Sequence, residues 1–155
     1  MQEKRFWSLK VPPPIQVLAA ILIMYLISRL IPSGNILPSI GWLGTLLIVA
    51  GLALNIFAGV VFGRAKTQIS PLDPSKTTSL VQEWPYSMSR NPIYVAMTIL
   101  LVGVVILFGN VFNVLVVIGF VWFITEFQIK PEEGALTEIF GDDYADYMRR
   151  VRRWI

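Results

Sequence analysis

The chain has 155 residues, of which 55% are hydrophobic and only 15% are charged, and it contains neither cysteine nor histidine. Because soluble domains carry nearer a quarter of charged residues, this composition and its long apolar runs predict one membrane domain, residues 1–155. The missing residue types exclude disulfides, Ser-His or Cys-His catalysis and zinc sites built on these residues, and the net charge of +3 without a basic stripe gives no indication of nucleic-acid binding.

Four apolar runs predict four transmembrane helices. The first, residues 15–30, is not followed by a small-residue cleavage site, so we interpret it as an uncleaved span rather than a signal peptide. The second, residues 40–62, is long enough to cross about 30 Å of hydrocarbon. The last two, residues 93–108 and 111–127, are separated by a short turn and should form an antiparallel hairpin.

In and just after the second run, four residues recur every four positions, namely Gly51, Asn55, Gly59 and Gly63. This spacing places them on one helix face, where another helix can approach closely. Asn55 lies on the same face, and we expect it to hydrogen bond to a neighbouring helix rather than to act in catalysis.

Two polar stretches remain, a loop at residues 63–92 and a tail at residues 130–155. A loop of this length is usually functional or disordered, and its aromatic residues argue against disorder. Apolar residues three or four positions apart in the tail predict an amphipathic helix on the membrane surface, with arginines on its opposite face. Gly141 should end one helical stretch and Asp142 should cap the next.

The basic residues predict the orientation. If there are four spans, all but one of the 13 lysines and arginines precede the first span or lie in the middle loop or the tail, and the exception is Arg29. Basic loops stay in the cytoplasm. We therefore expect an all-α, polytopic integral protein of the cell membrane, with four spans, cytoplasmic N- and C-termini and a cytoplasmic amphipathic C-terminal helix.

Two polar clusters flank the predicted hairpin. One is the segment 89–94, Ser-Arg-Asn-Pro-Ile-Tyr, and the other is Pro-Glu-Glu at 131–133. The hairpin would bring both to the same membrane depth. Glu132 and Glu133 can pair with Arg90 or with an amino-bearing cofactor, or can simply favour the N-terminal dipole of a tail helix. Arg90 can equally be an anchor in the lipid headgroups, and Tyr94 in the same segment can be a packing residue.

Both clusters carry a family resemblance. The segment 84–95, Trp-Pro-Tyr-Ser-Met-Ser-Arg-Asn-Pro-Ile-Tyr-Val, resembles the G-P-Y-x-x-x-R-[H/N]-P-x-Y segment of the isoprenylcysteine carboxyl methyltransferase and phospholipid methyltransferase superfamily. The segment 130–148 resembles its E-E-x-x-L-x-x-x-F-G-x-x-Y-x-x-Y pattern. The resemblance covers roughly residues 62–155, and the two motifs in this order are more specific than either alone.

The resemblance implies an S-adenosylmethionine-dependent methyltransferase whose site lies at the cytoplasmic boundary of the lipid bilayer. It implies a lipid-like or prenylated methyl acceptor and catalytic roles for Arg90, Glu132 and Glu133, and no metal is expected. The residues implied at the cofactor site are Arg90, Asn91, Pro92, Tyr94, Gln128, Lys130, Glu132 and Glu133.

Three positions depart from the family pattern. Asn91 stands where many members have histidine, and Trp84 replaces a small residue. Gln128 stands about where the prenylcysteine enzymes place an arginine, which bears on the acceptor more than on the cofactor.

Several functions remain open from the sequence. The leading one is an isoprenylcysteine carboxyl O-methyltransferase-like activity, and the alternative is a phospholipid N-methyltransferase of the phosphatidylethanolamine type. A different class is a sterol-reductase-like membrane oxidoreductase, although the chain has no Gly-rich dinucleotide turn. A non-enzymatic membrane scaffold would leave the paired motifs unexplained.

Overall fold

The computed structural model describes residues 11–38, 40–64 and 79–155, and every regular element within them is helical. A 3-10 turn follows the first helix, and a π turn joins the fourth helix to the fifth. The predicted all-α class is therefore confirmed. The helices in chain order are α1 (Pro13–Leu30), α2 (Gly41–Arg64), α3 (Pro92–Phe108), α4 (Asn113–Ile124), α5 (Lys130–Phe140) and α6 (Asp142–Arg150).

Three stretches of helix are long and apolar enough to cross a membrane. They are α1 with 18 residues, α2 with 24 residues and the continuous helix Asn113–Phe140 with 28 residues. The apolar helix α3 is slightly shorter at 17 residues. These helices confirm an integral membrane protein, while the number of spans, their orientation and the single-domain organisation stay predictions.

Glycines set the turns between helices. Gly109 after α3 and Gly141 after α5 have positive φ angles of 64° and 52°, a conformation that residues with a Cβ atom rarely adopt. Both turns lie where the sequence predicts them. The expectation that Asp142 caps α6 is wrong, because Asp142 is already the first helical residue. The N-cap position is occupied by Gly141, which has no side chain that could cap the helix.

The helix that begins at Asn113 continues past residue 127, where the sequence predicts the span to end. Pro131 has no N–H to donate to the carbonyl one turn earlier, and its ring crowds that carbonyl. Just before it, the Lys130 N–H bonds to the Thr125 carbonyl in the wider π turn Thr125–Ile129, so the helix continues without a break. The acidic pair that follows is consequently held by a helix rather than by a loop.

The chain divides into two compact units. Residues Leu54–Val95 and Ile124–Ile155 belong to the first, and residues Val11–Ala53 and Ala96–Phe123 belong to the second. The polar clusters singled out in the sequence, at residues 89–94 and 131–133, are both in the first unit.

Close backbone contact characterises the second unit. A Cβ atom on Gly103 would lie 2.7 Å from the Gly44 carbonyl oxygen, and one on Gly51 would lie 2.7 Å from the Ala96 carbonyl oxygen. The predicted small-residue contact is therefore confirmed at Gly51, and Gly44 also takes part in it.

The other residues of the predicted small-residue face differ from Gly51. A Cβ atom on Gly59 or Gly63 would meet no atom of the described residues within 4 Å, so the expected close contact is wrong at these two positions. Asn55 does form the expected interhelical hydrogen bond, donating to the Ile93 carbonyl at 3.4 Å.

The amphipathic tail packs against protein. Tyr144, Tyr147 and Val151 are buried and form an apolar cluster. The partly buried residues packed against this cluster are Leu80, Leu136, Phe140 and Met148. The predicted apolar face is therefore real, and a segment of the middle loop covers part of it.

Candidate functional site

An ion-pair cluster joins the residue before α3 to α5. The Arg90 Nη2 atom lies 2.6 Å from Glu133 Oε1, and Arg153 Nη2 lies 2.7 Å from Glu133 Oε2. The Arg90 and Glu133 side chains are only 9% and 10% exposed. A buried carboxylate needs such charged donors, because burial without a partner costs several kcal/mol. We call Arg90, Glu133 and Arg153 the ion-pair triad.

Arg90 uses most of its hydrogen-bonding capacity within the protein. Its Nε donates to Glu133 at 3.1 Å, and its Nη1 donates to the carbonyl oxygens of Met148 and Val151, both at 3.2 Å. The second carbonyl lies just after α6, where helix carbonyls lack intrahelical donors. Since a guanidinium has five N–H groups, one N–H of Arg90 remains without an acceptor among the residues that the structure describes.

Glu132 has a different environment from its neighbour. The Tyr94 hydroxyl donates a hydrogen bond of 2.8 Å to Glu132 Oε1. No lysine or arginine of residues 11–38, 40–64 and 79–155 forms an ion pair with Glu132. Of the two adjacent glutamates, Glu132 is therefore the one whose charge is available to a cationic ligand.

Gln128 lies one helical turn before Glu132, in the π turn. It is 1% exposed, and its side-chain amide interacts with the Glu132 carboxylate and the Tyr94 hydroxyl.

A cavity of about 50 Å³ opens beside these groups. It has room for a few water molecules or for one polar end of a ligand. Its charged and polar lining consists of Ser79, Arg90, Asn91, Glu132 and Glu133. Its aromatic lining consists of Phe62, Tyr86, Tyr144 and Tyr147.

The three tyrosines of the lining are neutral hydrogen-bonding groups. Burial raises the pKa of Tyr147 from its ordinary value near 10 to about 12, and burial also raises the pKa of Tyr86 and Tyr144. The Tyr147 hydroxyl donates to the Tyr86 carbonyl at 2.6 Å. None of the three is suited to take a proton near neutral pH.

Residues 151–154 run along the segment 89–91, and we call them the 151–154 segment. The Arg90 N–H donates to the Arg152 carbonyl at 3.0 Å, and the Asn91 side-chain nitrogen donates to the Arg153 carbonyl at 3.0 Å. Ser89 Oγ in turn accepts the Asn91 N–H at 3.0 Å. The family motif around Arg90 is thus bonded to the 151–154 segment.

The structure brings most of the predicted site residues together. Arg90, Asn91, Glu132 and Glu133 line one cavity, and Tyr94 contacts Glu132. Pro92 is buried at the start of α3, and its contribution is to begin that helix. The roles proposed for these residues stay predictions.

Lys130 does not belong to this group. Its side chain is 48% exposed and pairs with Glu126, one turn earlier on the same helix. It does not line the cavity.

Sequence reasoning missed Arg153 as a site residue. It stands among four tail arginines, and the sequence contains no signal that separates the one facing Glu133 from the others. Tyr144 and Tyr147 line the cavity together with Leu136, whereas the amphipathic pattern of the tail predicts these residues only as members of its apolar face.

Comparison with known proteins identifies the family to which this chain is similar. The model of the family described as phospholipid methyltransferase matches residues 40–143. Protein-S-isoprenylcysteine O-methyltransferase B of Arabidopsis thaliana is 29% identical over 70% of this chain and 55% of its own length. Protein-S-isoprenylcysteine O-methyltransferase of Mus musculus is 30% identical over 74% of this chain and 42% of its own length. The chain thus spans about half the length of these relatives, and no solved structure matches it.

Proposed function

Because the chain belongs to the phospholipid methyltransferase family, we propose that it transfers a methyl group from S-adenosylmethionine to a lipid-like acceptor. The proposed activity resembles that of an isoprenylcysteine carboxyl O-methyltransferase. One observation carries the proposal: Glu132 lines a cavity, without a cationic partner among the described residues, beside a second carboxylate that is fully paired.

The residues of the cavity fit the polar end of the proposed donor. S-adenosylmethionine carries an amino group, a carboxylate and a sulfonium whose methyl group is open to displacement. Glu132 would hold the amino group, and the remaining N–H of Arg90 would hold the carboxylate.

Glu132 and Glu133 are suited to different tasks. Glu133 accepts hydrogen bonds from two guanidinium groups, those of Arg90 and Arg153, which occupy both of its carboxylate oxygens. Glu132 contacts two neutral groups, the Tyr94 hydroxyl, which donates to it at 2.8 Å, and the Gln128 side-chain amide. We therefore assign Glu133 to holding the site together and Glu132 to contact with ligand.

The chemistry of the acceptor determines whether a base is needed. A carboxylate acceptor requires alignment with the methyl group and exclusion of water, and no proton has to move. An amine acceptor must lose a proton before it attacks, and Glu132 is the carboxylate able to receive it. A protein without histidine can therefore carry out either reaction.

The membrane suits both reactants. A water-soluble donor would arrive from the cytoplasm, and a lipid acceptor would arrive through the bilayer. Three arginines on and just after α6 are exposed, namely Arg149, Arg150 and Arg152. They support a cytoplasmic position for this side of the protein and for both termini.

Donor binding is tested by calorimetry on the protein in lipid nanodiscs. We expect the unsubstituted protein to bind S-adenosylmethionine, and Glu132→Gln, Glu133→Ala and Arg90→Ala to weaken that binding. Asp143→Asn, an exposed carboxylate of α6, is the matched control and should bind normally. Unchanged affinity in all three site variants would refute the assigned roles.

The acceptor is tested with membranes and a labelled methyl donor. Methyl esters hydrolyse in base, so a base-labile product supports a carboxylate acceptor. A base-stable product supports the alternative, a phospholipid amine, which the name of the matching family favours. Tight binding of a nicotinamide cofactor without binding of S-adenosylmethionine would instead support a reductase.

A further inference from the structure

We propose that Arg153 is a positioning residue of the donor site, acting through Glu133 and through the 151–154 segment to keep Glu132 available for ligand. This inference rests on the proposed function, which gives Glu132 its ligand. It adds a residue that lies outside both sequence motifs.

The contacts of Glu133 show how Arg153 acts. Arg153 Nε lies 3.1 Å from both carboxylate oxygens of Glu133, and its Nη2 lies 2.7 Å from Oε2. Arg90 approaches the same carboxylate through Oε1. The two guanidinium groups therefore fix the orientation of Glu133 from two directions.

Charge balance makes the second guanidinium necessary. Glu132 and Glu133 are adjacent in the sequence, and Arg90 and Arg153 supply two positive charges beside them. Without Arg153, Arg90 alone would serve two carboxylates, and its guanidinium would be drawn toward both of them. Glu132 would then acquire a cationic partner from the protein and would lose its availability to a ligand.

The backbone around Arg153 reinforces this arrangement. The Arg153 carbonyl accepts the Asn91 side chain at 3.0 Å, and the neighbouring Arg152 carbonyl accepts the Arg90 N–H at 3.0 Å. Trp154 Nε1 donates to Thr125 Oγ1 in the π turn at 3.3 Å. The 151–154 segment is thus bonded both to residues 90–91 and to the turn that precedes Glu132.

Arg152 provides a matched control. It is the preceding residue, it has the same charge, and its carbonyl also accepts a hydrogen bond from residues 90–91, in its case from the Arg90 N–H. Its side chain is exposed, whereas the Arg153 side chain is paired with Glu133. Replacing either residue removes one positive charge from the segment, but only one replacement removes the pair.

The test compares Arg153→Gln, Arg153→Lys and Arg152→Gln in lipid nanodiscs. We expect Arg153→Gln to weaken S-adenosylmethionine binding by about tenfold, the order of magnitude for one lost charge-assisted hydrogen-bond partner. Arg153→Lys keeps the charge without the paired N–H geometry and should lie between Arg153→Gln and the unsubstituted protein. Arg152→Gln should bind normally.

Hydrogen exchange gives a second readout that needs no ligand. The Arg90 amide should exchange faster in Arg153→Gln than in Arg152→Gln, because its acceptor lies in the segment that Arg153 anchors. Thermal unfolding of each variant shows whether it is folded. If Arg153→Gln does not fold, the same comparison is made with Arg153→Lys.

The outcomes separate this inference from the proposed function. If the unsubstituted protein binds S-adenosylmethionine and the folded Arg153 variant binds it equally well, Arg153 has no positioning role and the inference fails alone. If the unsubstituted protein binds no S-adenosylmethionine, the proposed function and the inference both fail. Weaker binding and faster Arg90 exchange in Arg153→Gln alone would support the inference.

Discussion

Tyr94 and Glu132 are 38 residues apart in the sequence, and the Tyr94 hydroxyl donates a 2.8 Å hydrogen bond to the Glu132 carboxylate. Tyr94 belongs to the first turns of α3 and Glu132 to the start of α5. This hydrogen bond therefore joins the two family motifs through side chains, as the ion pair between Arg90 and Glu133 does beside it. The hydrogen bond orients the Glu132 carboxylate, which we propose contacts the ligand.

Tyr94→Phe removes only the hydroxyl that holds Glu132. Since a hydrogen bond to a charged group contributes about 1.5–3 kcal/mol, we expect the affinity for S-adenosylmethionine to fall by roughly tenfold and the fold to be retained. Calorimetry measures the affinity, and circular dichroism confirms the helices. Tyr25→Phe, a tyrosine of α1 outside the first unit, is the control. Equal losses in both variants would point to a general effect on the protein.

Glu133→Gln leaves two guanidinium groups without their carboxylate. Because the Arg90 and Glu133 side chains are about one-tenth exposed, removing the charge should lower the free energy of unfolding by about 3 kcal/mol. Arg149→Gln breaks the ion pair between Arg149 and Asp146, two side chains that are 76% and 57% exposed. This change should alter the free energy of unfolding by less than about 1 kcal/mol. Denaturant titration in one detergent compares the two, and a similar loss in both would contradict the central position of Glu133.

Gly103→Ala tests the close contact within the second unit. The new methyl group would lie 2.7 Å from the Gly44 carbonyl oxygen, so the backbone must shift at a cost of about 1–3 kcal/mol. Gly59→Ala makes the same change where no described atom lies within 4 Å, and it should be neutral or stabilising by up to about 1 kcal/mol. Thermal unfolding of the two variants should shift in opposite directions or differ clearly in size.

Tyr147 makes the protein sensitive to alkali. Its pKa is raised from about 10 to about 12 by burial, so the unfolded chain releases this proton at a lower pH than the folded chain does. The stability that Tyr147 contributes is complete below pH 10 and is lost as the pH rises through 12. Tyr147→Phe should flatten the fall in unfolding temperature over this range, and an unchanged slope would contradict the assignment.

The sequence by itself determined the class of the protein and much of the site. Long apolar runs predict helices that satisfy their backbone polar groups internally in lipid, and the two motifs flank the predicted hairpin, which places Arg90 and Glu133 at the same membrane depth. The turn at Gly109 follows from its position between two apolar runs. These conclusions depend on composition and periodicity, which are properties of the chain alone.

Only the tertiary structure decided which charged groups pair. Glu132 and Glu133 are identical in type and adjacent, yet one accepts two guanidinium groups and the other a tyrosine hydroxyl. The difference arises because successive residues of a helix point about 100° apart and so meet different neighbours. Likewise, Arg153 reaches Glu133 and Arg152 remains exposed, because the direction of each side chain depends on how the 151–154 segment packs.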